Sequence, residues 1–98
     1  MDEEGYHNAR IDSLFGAADA HASKIYLNEK IRYVAWLADP STSQAKKDKI
    51  FANLAWADAV WATYLARKAS VLEGGDVNGD FTELGEPPHS FMDIVYTP

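Results

Sequence analysis

The chain has 98 residues, no cysteine, 47% hydrophobic residues and a formal net charge of −6. That is one domain at most, too apolar to stay disordered, and without thiols for a disulfide framework or a Cys-based zinc site. MDEEGYHNAR lacks the basic-then-apolar pattern of a secretory signal, and no apolar run approaches the ~20 residues of a membrane span, so a soluble, cytoplasmic protein that engages no membrane is expected.

The first element in chain order is a long helix over about 8–38. Apolar residues recur at Ile11, Leu14, Phe15, Ala18, Ala22 and Ile25, and again at Leu27, Ile31, Val34 and Ala38, which reads as helix spacing. Asp39-Pro40 ends it, because the residue before a proline is pushed out of helical dihedrals. Ser41 and Gln44 fit a capping box, and a second helix follows over about 42–72, closed by Gly74-Gly75.

The second helix carries two apolar stripes. One is large (Ile50, Leu54, Trp61, Tyr64, Val71) and one is small (Ala52, Ala55, Ala59, Ala62, Ala66, Ala69), with Trp56 and Val60 filling part of the remainder. A helix apolar over most of its circumference is buried on more than one side. The expected fold is therefore all-α: a long antiparallel helical hairpin over 1–72, pairing with a second copy into a bundle. Leu54, Trp56, Val60, Trp61 and Tyr64 are the expected oligomer interface. In the competing arrangement, helix 1 covers one stripe and the folded-back C-terminal tail covers the other.

Residues 73–98 are of another kind, a tail with four glycines, three prolines and no helical period. Residues 1–72 hold nine basic and nine acidic side chains, whereas the tail holds Glu73, Asp76, Asp80, Glu83, Glu86 and Asp93 and no Lys or Arg. The whole net charge sits there, which argues against nucleic acid as a partner and for a protein with a basic or apolar groove. The run Phe91, Met92, Asp93, Ile94, Val95, Tyr96 is β-prone, and its apolar members are candidate partner anchors. Lys46, Lys47 and Lys49 lie in the first turns of helix 2, where the helix dipole disfavours cations. They are a candidate docking point for the acidic tail.

GGDVNGDF (74–81) invites a calcium reading, with Asp76, Asn78 and Asp80 at positions one, three and five of a loop. Phe81 at position six and Pro87 at position twelve break the pattern. Asn78-Gly79 instead suits the centre of a tight hairpin turn over 77–80. His7 and His21 are about 21 Å apart on an unbroken helix, and no Glu-x-x-His occurs, so no metal site, cofactor or catalytic group is expected. Asp58, inside an apolar stretch, reads as a solvated residue on a narrow polar strip.

Trp61-Ala62-Thr63-Tyr64-Leu65-Ala66-Arg67 and the ending Ile94-Val95-Tyr96-Thr97-Pro98 resemble the tail assembly chaperones of tailed bacteriophages, with the arginine displaced to Arg67 and Tyr96 in the place of a tryptophan. The resemblance covers about a third of the chain. It implies a small, non-enzymatic phage or prophage protein that binds a tail component during assembly, in the cytoplasm or within a phage particle. The expectation drawn from the residues is an oligomeric assembly or adaptor protein. The alternatives are a small-molecule or calcium-binding helical protein, or an acidic inhibitor mimicking nucleic acid.

Overall fold

A computed structural model describes the backbone of residues 3–98 and the side chains from Asn8 onward; His7 lies outside the described side chains. The fold is all-α, and no strand occurs among the described residues. Three long helices, α1 (Glu3–Ala22), α2 (Leu27–Ala38) and α3 (Gln44–Leu72), are followed by a 3-10 turn (Thr82–Leu84) and a short α4 (Phe91–Val95). The molecule is elongated, 56 × 21 × 17 Å.

The first helix is two helices, not the single one the spacing predicts. Near the end of α1 the bonding tightens to Lys24 N–H on His21 O (3.2 Å) and Ile25 N–H on Ala22 O (3.3 Å), and Tyr26 is extended at φ −68°, ψ 155°. The break buries Ile25 beside Leu14, Ala18 and Ala22 of α1. It also sets which face of α2 turns inward: Tyr33 is buried and Trp36 and Leu37 half-buried, whereas Leu27, Ile31, Val34 and Ala38 are exposed. The second half of the expected core stripe therefore faces solvent.

At the start of α3 the cap is Ser43, whose Oγ accepts from Lys46 N–H at 3.2 Å. Ser41, expected in that role, instead bonds Asp39 Oδ1 through both its N–H (2.9 Å) and its hydroxyl (2.8 Å). These bonds, the backbone one first, hold the Asp39 carboxyl below its usual range. The far end closes as predicted. Gly74 turns at φ +85°, Gly75 N–H reaches Ser70 O at 2.8 Å and Gly74 N–H reaches Val71 O at 2.9 Å. This paired arrangement requires a left-handed residue, which glycine adopts without strain.

Beyond Gly75 the chain lies back along the helices as a strap. The tight reversal expected at 77–80 is not formed, because neither Asn78 nor Gly79 has the positive φ that such a turn needs. Asn78 Oδ1 instead accepts from Asp80 N–H (2.9 Å) and Asp80 Oδ1 from Thr82 N–H (2.9 Å), two successive side-chain turns that lead into the 3-10 segment. The β-prone run at 91–96 is helical, capped by Ser90 Oγ on Asp93 N–H. Within so short a run, a capping serine and burial on one side override the β-propensity of Ile and Val. Phe81 and Ile94 join the core formed by Tyr33, Ile50, Trp56, Val60 and Tyr64.

Candidate interaction surfaces

The strap is gripped by its main chain. Asn53 of α3 is 1% exposed. Its Nδ2 donates to His89 O (2.8 Å) and to the Tyr33 hydroxyl (3.2 Å), while its Oδ1 accepts from His89 N–H (3.0 Å). Trp56 Nε1–H donates to Leu84 O at 3.1 Å, and His21 Nε2 lies 2.9 Å from Gly85 O. The His21 and Trp56 rings also pack together, centroids 5.3 Å apart. Three buried or nearly buried side chains thus satisfy backbone groups that the strap's irregular path leaves unpaired. Burial around Tyr33 pushes its hydroxyl above the ordinary tyrosine range, and Asn53 partly offsets this.

Ion pairs line the edges of the strap. Asp76 meets Arg10 (3.3 Å), Glu86 meets Lys24 (2.6 Å), and Asp93 meets Lys49 (3.1 Å) and His89 (3.4 Å). Arg67 reaches Glu83, donates to Asp80 O (2.8 Å), and stacks its guanidinium over Phe81 at 4.6 Å. The Lys49 hydrogen bond is the main cause of a lowered Asp93 carboxyl, and the Thr82 backbone bond the main cause for Asp80. Exposed pairs such as these add little stability individually. Their value is registration, each fixing one acid of the strap opposite one base of the helices.

The predicted residues divide accordingly. Lys46 and Lys49 do meet the tail, Lys49 also donating to Thr97 Oγ1 (3.1 Å) and Lys46 reaching Val95 O (3.5 Å); Lys46 Nζ sits 4.2 Å from the centre of the Trp36 ring. Lys47 makes no side-chain hydrogen bond or ion pair with the tail among the described residues; its charge is a minor cause of the lowered Asp39 carboxyl. Of the partner anchors, Ile94 is fully buried, Phe91 stacks on Trp36 (5.9 Å) and Val95 is half-buried. Only Met92 and Tyr96 stay open to solvent. Of the oligomer-interface set, Trp56, Val60 and Tyr64 are buried within the chain, and Leu54 and Trp61 are half-buried against the core. These residues face α1 and the strap and so are not open for pairing.

Most oxygens of the calcium candidates have partners: one of Asp76 meets Arg10, Asn78 Oδ1 accepts from Asp80 N–H, and both of Asp80 bond Thr82. No His/Asp/Glu group able to hold a metal is found among the described residues, and none of the helices is long and apolar enough to cross a membrane. Asp58 is exposed, as its sequence context suggests.

Two apolar surfaces remain uncovered. The outer face of α3 exposes Phe51, Leu65 and Leu72 with Ala55, Ala59, Ala62, Ala66 and Ala69 between them and the exposed Asp58 among them, a face about 32 Å long at 1.5 Å per residue. Leu27, Ile31 and Val34 of α2, and Met92 and Tyr96 at the chain's C-terminal end, are exposed as well. A groove of about 570 Å³ between α2 and α4 is lined by Asn28, Ile31, Arg32, Phe91, Met92 and Val95. The sequence periodicity of Leu27, Ile31 and Val34 gives helix spacing but not which side of α2 is covered, so this second surface was not foreseen. Asn53 was also missed, because an isolated asparagine between Ala52 and Leu54 carries no distinguishing pattern. No protein family, curated protein or solved structure matches the chain.

Proposed function

We propose that the protein is a non-enzymatic interaction module that self-associates through the outer face of α3 and offers the α2–α4 groove to a protein partner. The observation that carries this is the uncovered α3 face. The strap and α1 together cover the large-residue side of that helix and leave a mainly apolar face with Phe51 at one end, Leu72 at the other and one carboxylate, Asp58, within it. Small residues along its middle let two such helices approach closely, and a two-fold pairing sets each bulky end beside the alanines or the opposite bulky end of the other copy. The partner surface shifts from the buried Ile94 to Met92, which lines the groove with Ile31 and the half-buried Phe91, and to the exposed Tyr96. Aromatic and methionine side chains exposed beside a groove are typical anchors for an apolar peptide or helix. A phage or prophage setting, in which the module holds a tail component during assembly, is the biological form of this reading that the resemblance of the C-terminal third supports.

Sedimentation equilibrium tests the self-association. The wild type is expected to dimerise between micromolar and millimolar concentration, and Ala62→Glu to be monomeric with an unchanged helical spectrum. A wild type that stays monomeric throughout that range overturns the reading.

A further inference from the structure

The strap is covalently part of the chain, but it is held the way a peptide ligand is held. Asn53 reads one residue of it through both the N–H (3.0 Å) and the carbonyl (2.8 Å) of His89, and Trp56 and His21 read the adjacent carbonyls of Leu84 and Gly85. Apolar anchors fill the two ends, Phe81 at 2% and Ile94 at 0% exposure. The bonds that shape the strap between these anchors are local to it: the turns at Asn78 and Asp80, the 3-10 segment and the Ser90 cap. It is joined to the helices through Gly74, whose φ of +85° folds it back, and Gly75.

We infer that the groove formed by α1, α2 and α3 is a peptide-binding site whose occupant is exchangeable, and that it takes residues 76–98 of a second copy in trans as it takes its own in cis. The complementarity is specific to this segment. The acids Asp76, Glu83, Glu86 and Asp93 are spaced to meet Arg10, Arg67, Lys24 and Lys49, and both anchors are in place. A glycine pair is also the connection that tolerates either a folded-back or an outstretched path. In dilute solution the tethered copy wins, since a short flexible linker gives an effective concentration of the order of millimolar. Exchange then needs high local concentration, the condition that self-assembly supplies. The α3 outer face takes no part in this site, so the inference stands apart from the proposed pairing.

The test uses the full chain carrying Ala62→Glu, so that α3 pairing and strap exchange are separate readouts, and a fluorescent synthetic peptide of residues 76–98. Ile94→Asp in the protein weakens its own strap, and half-saturation by the peptide is expected to fall about tenfold or more relative to the unweakened chain. Adding Asn53→Ala should abolish that binding, and a scrambled peptide should not bind. Equal half-saturation with and without Ile94→Asp, or equal binding of the scrambled peptide, overturns the inference. If Ile94→Asp fails to fold, the decision passes to a protein cut at a protease site inserted between Gly74 and Gly75. Replacement of the cut strap by labelled peptide with helicity retained supports exchange, whereas a strap that never leaves, or helices that collapse when it does, overturns it.

Discussion

Replacing Asn53 with alanine isolates the grip on the strap from its apolar anchoring. The substitution removes three hydrogen bonds at one buried position: the two to His89's backbone and the one to the Tyr33 hydroxyl. Tyr33 is 0% exposed, so its hydroxyl loses its partner with no water to replace it, a loss of about 1–3 kcal/mol. His89 is only half-buried, and its N–H and carbonyl recover part of their bonding from solvent, so each adds nearer ~0.5 kcal/mol. The sum, about 3 kcal/mol, is a large share of the stability of a small domain. At about 4–8 °C per kcal/mol it lowers the melting temperature by roughly 12–24 °C. Urea unfolding followed by tryptophan fluorescence measures the energy, and hydrogen exchange locates it. Protection should fall first at residues 84–94, with the α1–α3 amides following only as far as global stability drops. A loss under about 1 kcal/mol, or equal loss of protection everywhere, refutes the claim that Asn53 is the strap's principal polar fastening.

Acid should loosen the strap's last segment. The folded-state carboxyl of Asp93 is lowered, chiefly by the Lys49 hydrogen bond, so its contribution is present above the unfolded value of ~3.9 and is lost as pH falls through the lower folded value. Amide protection across 91–97, taken relative to the intrinsic exchange rate at each pH and compared at mildly acidic and strongly acidic pH, should fall in wild type and much less in Asp93→Asn; an equal fall in both rejects the assignment. Neutralising Lys49 should free Thr97 and α4 while neutralising Lys47 should not, a contrast readable from backbone chemical shifts. Gly74→Val should destabilise by about 1–2 kcal/mol, because a β-branched residue resists the left-handed conformation, and an unchanged denaturation midpoint would argue against the closed helix end. Calcium should leave the melting temperature where it is, because Asn78 Oδ1 and both Asp80 oxygens are already bonded within the strap.

The all-α class and the glycine-closed end of α3 were legible in the sequence, from helical spacing and paired glycines. The cap lies on Ser43 and not on Ser41, and of the three lysines read as a docking point only Lys49 pairs with an acid of the tail. The break between α1 and α2 was less visible, since neither proline nor glycine marks it. The sign lay in the step from Ile25 to Leu27, two residues where the stripe (apart from the adjacent pair Leu14 and Phe15) otherwise advances by three or four, and the helix ends there. The helical state of 91–95 and the burial of Ile94 depend on contacts with Tyr33, Trp36 and α3, which no local window contains. The alternative in which the tail folds back matches the strap's path only in part. It covers the large-residue side of α3 together with α1, and the alanine stripe is left open.

Because Asn53, Trp56 and His21 hold backbone atoms of residues 84, 85 and 89, the text of the strap between its anchors carries less information than its length. The His89 side chain could be exchanged for almost any other without loosening Asn53's hold, except proline, which has no N–H to give. Adding or removing a single residue between Gly85 and His89 would instead throw Ile94 and one of the two grips out of register together. The segment behaves as a ruler, and variants that respect its count and keep the acids at Glu83 and Glu86, while rewriting its other letters, are the ones expected to fold.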